Sequence, residues 1–320
     1  MTTARTVLLA AVGCACAFAA HAQTDTTFIR QYSQRFNIKT FIQKSYVQLR
    51  NAKQHLRPNT PLNVGLGFSI KNTFLDLGYS WGLGNTLENR DIIRSKTVDF
   101  QLHAYGKRYI LDLYFQQYRG FYIAADRIEM YPDMSVRQYG AEYSYVFNGN
   151  RFSTKAAFAQ GEKQLRSAGS VIGGINFYLT RIGSPPDLLV GNERLVNNIQ
   201  LGTNAGYGYS YVIDAHWLLS GALTGGVNFG NLVEKFGRGD IEVSFNTFAR
   251  IAIGYNRENW GVSLFFLNNM HHYSSFGRNA LNLSSSVFRI VGVKRFDVRR
   301  RRQAMTAGRP LRNRRTIPYI

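Results

Sequence analysis

Alternation with a period of two constrains this chain more than any other feature. Between residues 199 and 213, Gln200, Gly202, Asn204, Gly206, Gly208 and Ser210 interleave with Ile199, Leu201, Ala205, Tyr207, Tyr209, Tyr211 and Ile213. Successive side chains of an extended strand point to opposite faces, so this run has one small, polar face and one apolar, aromatic face. Leu62, Val64, Leu66, Phe68 and Ile70 repeat the pattern against Asn63, Gly65, Gly67 and Ser69. It predicts strands over residues 38–49, 62–70, 75–83, 98–105, 109–118, 137–147, 152–160, 170–179, 199–213, 216–229, 241–255, 260–268 and 283–296, with a short helix over 28–36.

The polar face decides which side is wet. A soluble β-protein turns its apolar face to a core and covers the other with Lys and Glu. Here the polar face is rich in Gly, Ser and Asn, with scattered charges such as Asp76, Asp99, Asp112, Glu142, Lys155, Glu242 and Arg250. Such a face suits the interior of a narrow barrel whose apolar side meets lipid. Strands of about nine or more residues are long enough to cross a bilayer when tilted. The expected fold is therefore all-β, an antiparallel transmembrane β-barrel of twelve to fourteen strands. A periplasmic soluble barrel that binds an apolar ligand is the alternative. Glycines at 65, 67, 206, 208, 225 and 226 lie within strands rather than at a strand-to-helix turn, so they are not phosphate loops, and at inward positions they read as room for a plug, a loop or a large tyrosine.

The N-terminus sets the compartment. Arg5, an apolar run over 7–20 and Ala20-His21-Ala22 form a signal peptide over residues 1–22, with Gln23 first in the mature chain. Cys14 and Cys16 are the only cysteines and leave with the leader, so the mature chain has no thiol for disulfides, metal sites or nucleophiles. Lipidation at Cys14 is a competing reading that Ala11-Val12-Gly13 suits poorly. No apolar run reaches the roughly 20 residues of a spanning helix. The expected location is the cell outer membrane, with one barrel domain over 23–298 and a basic tail over 299–320.

The formal charge of +20 does not imply nucleic acid, because eight of the positives fall in a tail without an acid: Arg299 to Arg302, Arg309, Arg312, Arg314 and Arg315. For an exported chain the expected partners are outer-membrane lipid or lipopolysaccharide, the barrel assembly machinery, and an anionic envelope polymer at the tail. Block charge of this kind also suits a solvated tail without a partner.

Link lengths test the layout, since membrane barrels alternate short and long connections. Short links are expected at 71–72, 106–107, 148–150, 214–215 and 256–259, and long ones at 84–94, 119–136, 230–240 and 271–282. The alternation holds through Asn150 and then slips by one crossing. Either the region between Glu162 and Asn198, interrupted by Pro185-Pro186, holds an irregular strand, or residues 38–49 do not cross.

One stretch of sequence carries a resemblance. The run Asp112-Leu113-Tyr114-Phe115-Gln116-Gln117-Tyr118-Arg119-Gly120-Phe121-Tyr122, followed by Tyr131-Pro132-Asp133, Tyr145-Val146-Phe147-Asn148, Arg151-Phe152-Ser153 and Ser167-Ala168-Gly169-Ser170, resembles domain-of-unknown-function family 4421 of Bacteroidota over residues 37–296. The resemblance implies an exported outer-membrane barrel and supplies no catalytic residues. The basic tail beyond Phe296 departs from a barrel that ends on its last aromatic.

Candidate chemistry is sparse. His272 and Ser274 have the His-x-Ser spacing that resembles outer-membrane lipid hydrolases, and on a strand they share a face. No acid lies between His272 and Asp297 to orient the imidazole, so incidental loop polarity competes with an esterase or deacylase. His271 and His272 point apart, which is poor geometry for a metal, and no cofactor or metal is expected. His103 and His216 are expected on the polar face as hydrogen-bonding groups, and the acids of that face are expected to pair with Lys155 and Arg250.

Overall fold

The computed structural model describes residues 24–34, 36–51, 54–70, 75–82, 92–124, 127–185, 188, 194–233, 241–273 and 281–296, with the backbone alone at 70 and 75–81. In chain order the strands are β1 (Ile29–Gln31), β2 (Phe36–Arg50), β3 (His55–Leu56), β4 (Leu62–Ile70), β5 (Leu75–Gly82), β6 (Lys96–Tyr105), β7 (Tyr109–Ala124) and β8 (Ile128–Val146). A π-helical turn, Lys155–Ala159, precedes β9 (Glu162–Gln164), β10 (Ala168–Gly183), β11 (Leu195–Val212), β12 (Trp217–Leu232), β13 (Glu242–Asn256), β14 (Trp260–Tyr273) and β15 (Leu281–Phe296).

Every pairing is antiparallel, and the wall strands are joined in the order β2-β4-β5-β6-β7-β8-β10-β11-β12-β13-β14-β15, while β1 and β9 form a separate pair. The ring closes where β15 pairs with β2 from Phe296↔Phe36 to Asn282↔Arg50. Among the described residues this is a twelve-strand antiparallel barrel. Closure removes the sheet edge whose unpaired backbone groups cannot be satisfied in hydrocarbon.

The period-two faces fall as the sequence requires. Leu201, Leu223 and Ile175 are 62%, 61% and 59% exposed on the outer surface, while Gln200, Ser210, Ser220 and Asn228 are buried in the interior. Leu66 and Phe68 also face outward. At the end that carries residues 24–34 and Phe296, exposed Tyr209, Tyr211, Trp217, Trp260 and Phe147 mark an aromatic belt. Tyr255 lies between Trp217 and Trp260, with ring centroids 5.2 and 5.6 Å away. Amphipathic rings in such a belt suit a water–lipid interface. From Trp217 to Phe229, exposed apolar side chains on β12 cover about 40 Å of strand, or roughly 30 Å of height at a tilt near 40°, enough for a hydrocarbon core.

Four expectations are corrected. Residues 152–160 are not a strand: the segment turns into the lumen, and Lys155 lies in the π-helical turn rather than on the barrel wall. Apolar Phe152, Ala156, Ala157 and Phe158 gave an alternating pattern because they bury one side of an irregular plug. This removes the slip in crossing parity, since residues 38–49 do cross within β2 and β10 and β11 pair without an irregular strand between them. Within residues 28–36 the chain forms β1, paired with β9, instead of a helix. The 119–136 link is largely strand, with β7 and β8 extended past a bulge between Arg119 and Phe121. Gly120 takes φ +85° at this bulge, a conformation that favours glycine. His216 lies in the link before β12, stacked on Tyr255 at 5.4 Å, and not in the lumen. The expected signal peptide and basic tail, Ser274, the Asp76 side chain, and residues 71–72, 84–91, 234–240 and 274–280 of the expected links lie outside the described residues.

Candidate functional site

The lumen is filled in three levels. At the terminus end, residues 148–166 turn inward after β8, and the wall holds their backbone: Lys39 Nζ donates to the Ala159 carbonyl at 2.7 Å and Arg295 Nη2 to the Gln160 carbonyl at 2.9 Å. Gln160 adopts a left-handed conformation, φ 54°, and its amide donates to Ser263 Oγ. A non-glycine residue in that region carries backbone strain, so these contacts offset a local cost. The β1–β9 pair covers the plug, and Arg295 packs 3.8 Å from the Tyr32 ring.

The middle level is ionic and hydrogen-bonded. Arg250 donates through Nη2 to Asp112 Oδ2, while His103 Nδ1 lies 2.6 Å from Asp112 Oδ1. Arg250 and Asp112 are 5% and 2% exposed. Asp99 accepts from Gln101 at 2.9 Å, Gln116 at 3.2 Å and Tyr118 at 3.4 Å. Glu142 accepts from Tyr178 at 3.3 Å. The Tyr178 ring meets His271 at 4.2 Å, and Tyr273 Oη bonds Thr180 and Gln138 at 2.8 and 3.1 Å. Charges removed from water persist when partnered in this way. Inward glycines make room for the bulk: a Cβ at Gly140 would overlap the Tyr114 ring, and one at Gly208 would lie 3.0 Å from the Phe152 ring.

The far end is apolar. Leu49, Leu56, Phe121, Met134, Ile182 and Leu281 form one buried cluster, over which the Arg57↔Tyr122 bridge ties the link after β2 to β7. Between this end and the plug lies a cavity of about 420 Å³. Its polar lining includes Lys39, Gln43, Asp99, Gln101 and Arg289, and its apolar lining includes Phe41, Phe158 and Phe265. Arg289 Nε donates to Gln43 Oε1 at 2.8 Å and its guanidinium lies over the Phe41 ring at 4.8 Å.

The outer face presents a separate arrangement near the far end. His272 alternates with buried His271 on β14, so the two point to opposite sides as expected. His272 Nδ1 lies 2.6 Å from Asn282 Oδ1 on the adjacent β15. Asn268, on the same outer face, donates to Ser284 and Ser286 at 3.2 and 2.8 Å. The register Asn282↔His272 places an amide against the imidazole; cross-strand pairing, which sequence spacing does not reveal, brings it there.

Of the other expected residues, Arg250 does pair with an acid, Asp112, and His103 does hydrogen-bond in the lumen. Lys155 pairs no wall acid from a strand position, because it is not on one. Among the described residues, no group of three or more His, Cys, Asp or Glu side chains is placed to hold a metal ion.

Comparison with solved structures gives low-scoring matches. OmpT of Vibrio cholerae aligns with 8% identity and a TM-score of 0.29, covering 83% of this chain and 100% of that one. An outer membrane channel from Pseudomonas putida F1 gives 8% and 0.30, covering 85% and 100%. The outer membrane protein OprG from Pseudomonas aeruginosa gives 12% and 0.22, again covering 85% and 100%. At such scores the barrel rests on its own strand pairing. No curated protein matches. The family model described as Domain of unknown function (DUF4421) matches residues 23–292, and the chain belongs to that family.

Proposed function

We propose that the protein is an outer-membrane barrel with an occluded lumen, acting by binding or passing a small molecule rather than as an open water-filled pore. The filled interior carries this reading: the 148–166 plug, the Arg250–Asp112–His103 network and the far apolar cluster occupy successive levels. The exposed apolar band and aromatic belt support contact with lipid or lipopolysaccharide, and insertion by the barrel assembly machinery follows from that placement. The basic tail serves as a contact for anionic envelope polymer.

Two measurements test this. The protein should stay with outer membranes through carbonate extraction, and reconstituted in planar bilayers it should show no steady ohmic current. Recovery in the soluble periplasmic fraction would remove the membrane placement. A steady porin-like current would remove the occlusion.

A second reading, ester or acyl hydrolysis of lipid, is favoured by the outward His272–Asn282 contact, in which the amide holds the imidazole as an orienting third group would. Ser274, outside the described residues, is the nucleophile in this reading. Its Oγ would attack the ester carbonyl, His272 would take the proton and return it to the leaving alcohol, and water would then release the acyl group. Lipid-ester turnover by purified protein should disappear in Ser274→Ala and fall in Asn282→Ala. Turnover unchanged in Ser274→Ala, or none in the parent protein, ends this reading.

A further inference from the structure

The outward faces of β8 and β10 both end on an arginine. On β8 the outward positions run Phe147, Tyr145, Tyr143, Ala141, Tyr139 and then Arg137, whose neighbours Val136 and Gln138 are buried. On β10 Val171, Ile175 and Phe177 face outward, and Arg181 follows, exposed between buried Thr180 and Ile182. Both runs start at the aromatic belt, where the Phe147 amide donates to the Val171 carbonyl at 3.1 Å. About ten residues of strand at a tilt near 40° rise roughly 25 Å, the height of the apolar band of a membrane barrel. The two arginines therefore stand where hydrocarbon gives way to head groups.

Strand pairing sets them side by side. Arg137 and Arg181 are direct partners in the β8–β10 ladder, which separates their Cα atoms by about 5 Å. The flanking strands supply an amide on each side, Gln117 in register with Arg137 and Asn197 in register with Arg181. Arg137 Nε donates to Gln117 Oε1 at 3.1 Å and Arg181 Nε to Asn197 Oδ1 at 2.6 Å. Each amide thus orients one guanidinium through Nε and leaves its Nη groups out of the bond. Among the described residues no acid pairs with either arginine, whereas Arg119, on the outer face of β7, is held 3.0 Å from Asp133. Like charges directly opposite in a ladder are destabilising. An anion bound across both removes that cost.

We infer that Arg137 and Arg181 form a binding site for the phosphate of a lipid head group in the outer leaflet. The inference deepens the membrane reading above and rests on the outer face meeting lipid. Links 213–216 and 257–259 at the plug end are short, and links 184–194 and 233–241 at the arginine end are longer, which is the asymmetry of periplasmic turns and extracellular loops. A guanidinium fork matches phosphate oxygens with paired N–H···O bonds, so two adjacent forks grip one phosphate from both sides. Tyr139 and Phe177, next along the same outward faces, lie beside the acyl chains of such a lipid. That apolar run directly below the pair favours a lipid over a soluble anion. Elsewhere at this end the registered outward residues of β12 and β13 are Phe229 and Val243, so the site belongs to one sector of the wall.

Native mass spectrometry of the full chain released from detergent micelles tests the site. Dioleoylphosphatidate should bind saturably, and dioleoylphosphatidylcholine, whose phosphate carries a choline, about tenfold more weakly. Arg137→Gln and Arg181→Gln should each weaken phosphatidate binding about tenfold, the loss of one charge-assisted contact. Arg119→Gln, whose charge Asp133 already balances, and Lys294→Gln, outward at the plug end, should each change it by less than about twofold. Heat-modifiable gel mobility establishes that each variant folds. If neither glutamine variant does, Arg137→Lys and Arg181→Lys, which keep the charge and lose the fork, replace them and should also weaken binding.

Equal losses in all four variants mean diffuse attraction and overturn the site. Phosphatidate binding unchanged in the Arg137 and Arg181 variants overturns it as well. Equal affinity for inorganic phosphate assigns the pair to a soluble anion and overturns the lipid assignment. A parent protein lost from membranes on carbonate extraction fails the underlying placement instead, whereas membrane-held protein without a phosphatidate preference fails this inference alone.

Discussion

Replacing Arg250 by Met keeps a long unbranched side chain in the lumen and removes the charge that Asp112 faces. Both members of the pair are almost wholly buried, at 5% and 2% exposure. Removing one partner of a buried ion pair costs about 3–5 kcal/mol, because the remaining charge stays desolvated without compensation. His103, 2.6 Å from the other Asp112 oxygen, retains one hydrogen bond and offsets part of that loss. The expected cost is therefore about 3 kcal/mol, at the lower end of the range. The double variant Asp112→Asn/Arg250→Met removes both charges and should recover to within about 1–2 kcal/mol of the parent. Guanidinium unfolding in lipid vesicles, followed by tryptophan fluorescence, measures all three proteins. An Arg250→Met cost below about 1 kcal/mol, the value typical of a solvated pair, would refute the argument that the lumen is closed to bulk water at this level.

Other perturbations probe different levels of the fold. Gly140→Val should cost about 1–3 kcal/mol, since its side chain would enter the Tyr114 ring, and Tyr114→Ala in the same chain should recover part of the loss in the same unfolding assay. At the turn before β12, the Asp214 carboxylate accepts from the His216 and Trp217 backbone amides at 2.6 and 2.8 Å, and these two bonds hold its pKa below the ordinary value. A depressed carboxylate stabilises the folded turn above its unfolded pKa and loses that contribution as pH falls through the folded one. The protection of these two amides, their exchange relative to the intrinsic rate at each pH, should therefore fall in acid below the ordinary carboxylate range, and Asp214→Ala should remove that fall. In a Trp81→Phe background, fluorescence of Trp217 and Trp260 should be quenched more by lipids brominated near the head group than by lipids brominated at the chain end. The opposite order would displace the aromatic belt from the interface.

Much of the architecture was legible in the chain because period-two alternation is a local property. Leu66, Leu201 and Leu223 declare an outer face, and Gln200, Ser210 and Ser220 an inner one, without knowledge of any neighbour. The same local rule misread residues 152–160. Phe152 and Phe158 alternate with polar residues as a strand would, yet they bury against the lumen wall, and only the completed barrel supplies that wall. The site was less legible for the same reason. Arg250 and Asp112 are 138 positions apart, and a face assignment could bring them to one interior without choosing them as partners. The contact of Asn282 with His272 is not legible in the sequence, because the amide is contributed by the next strand, ten positions away.

The sequence by itself determined a β-protein with a weakly charged inner face and an apolar outer one, because side-chain direction in a strand follows from backbone geometry alone. The tertiary structure decided the closure of β15 on β2, the plug and the lumen ion pair. Each of these depends on register and curvature, which are settled only when distant strands compete for the same backbone hydrogen bonds and the same enclosed volume.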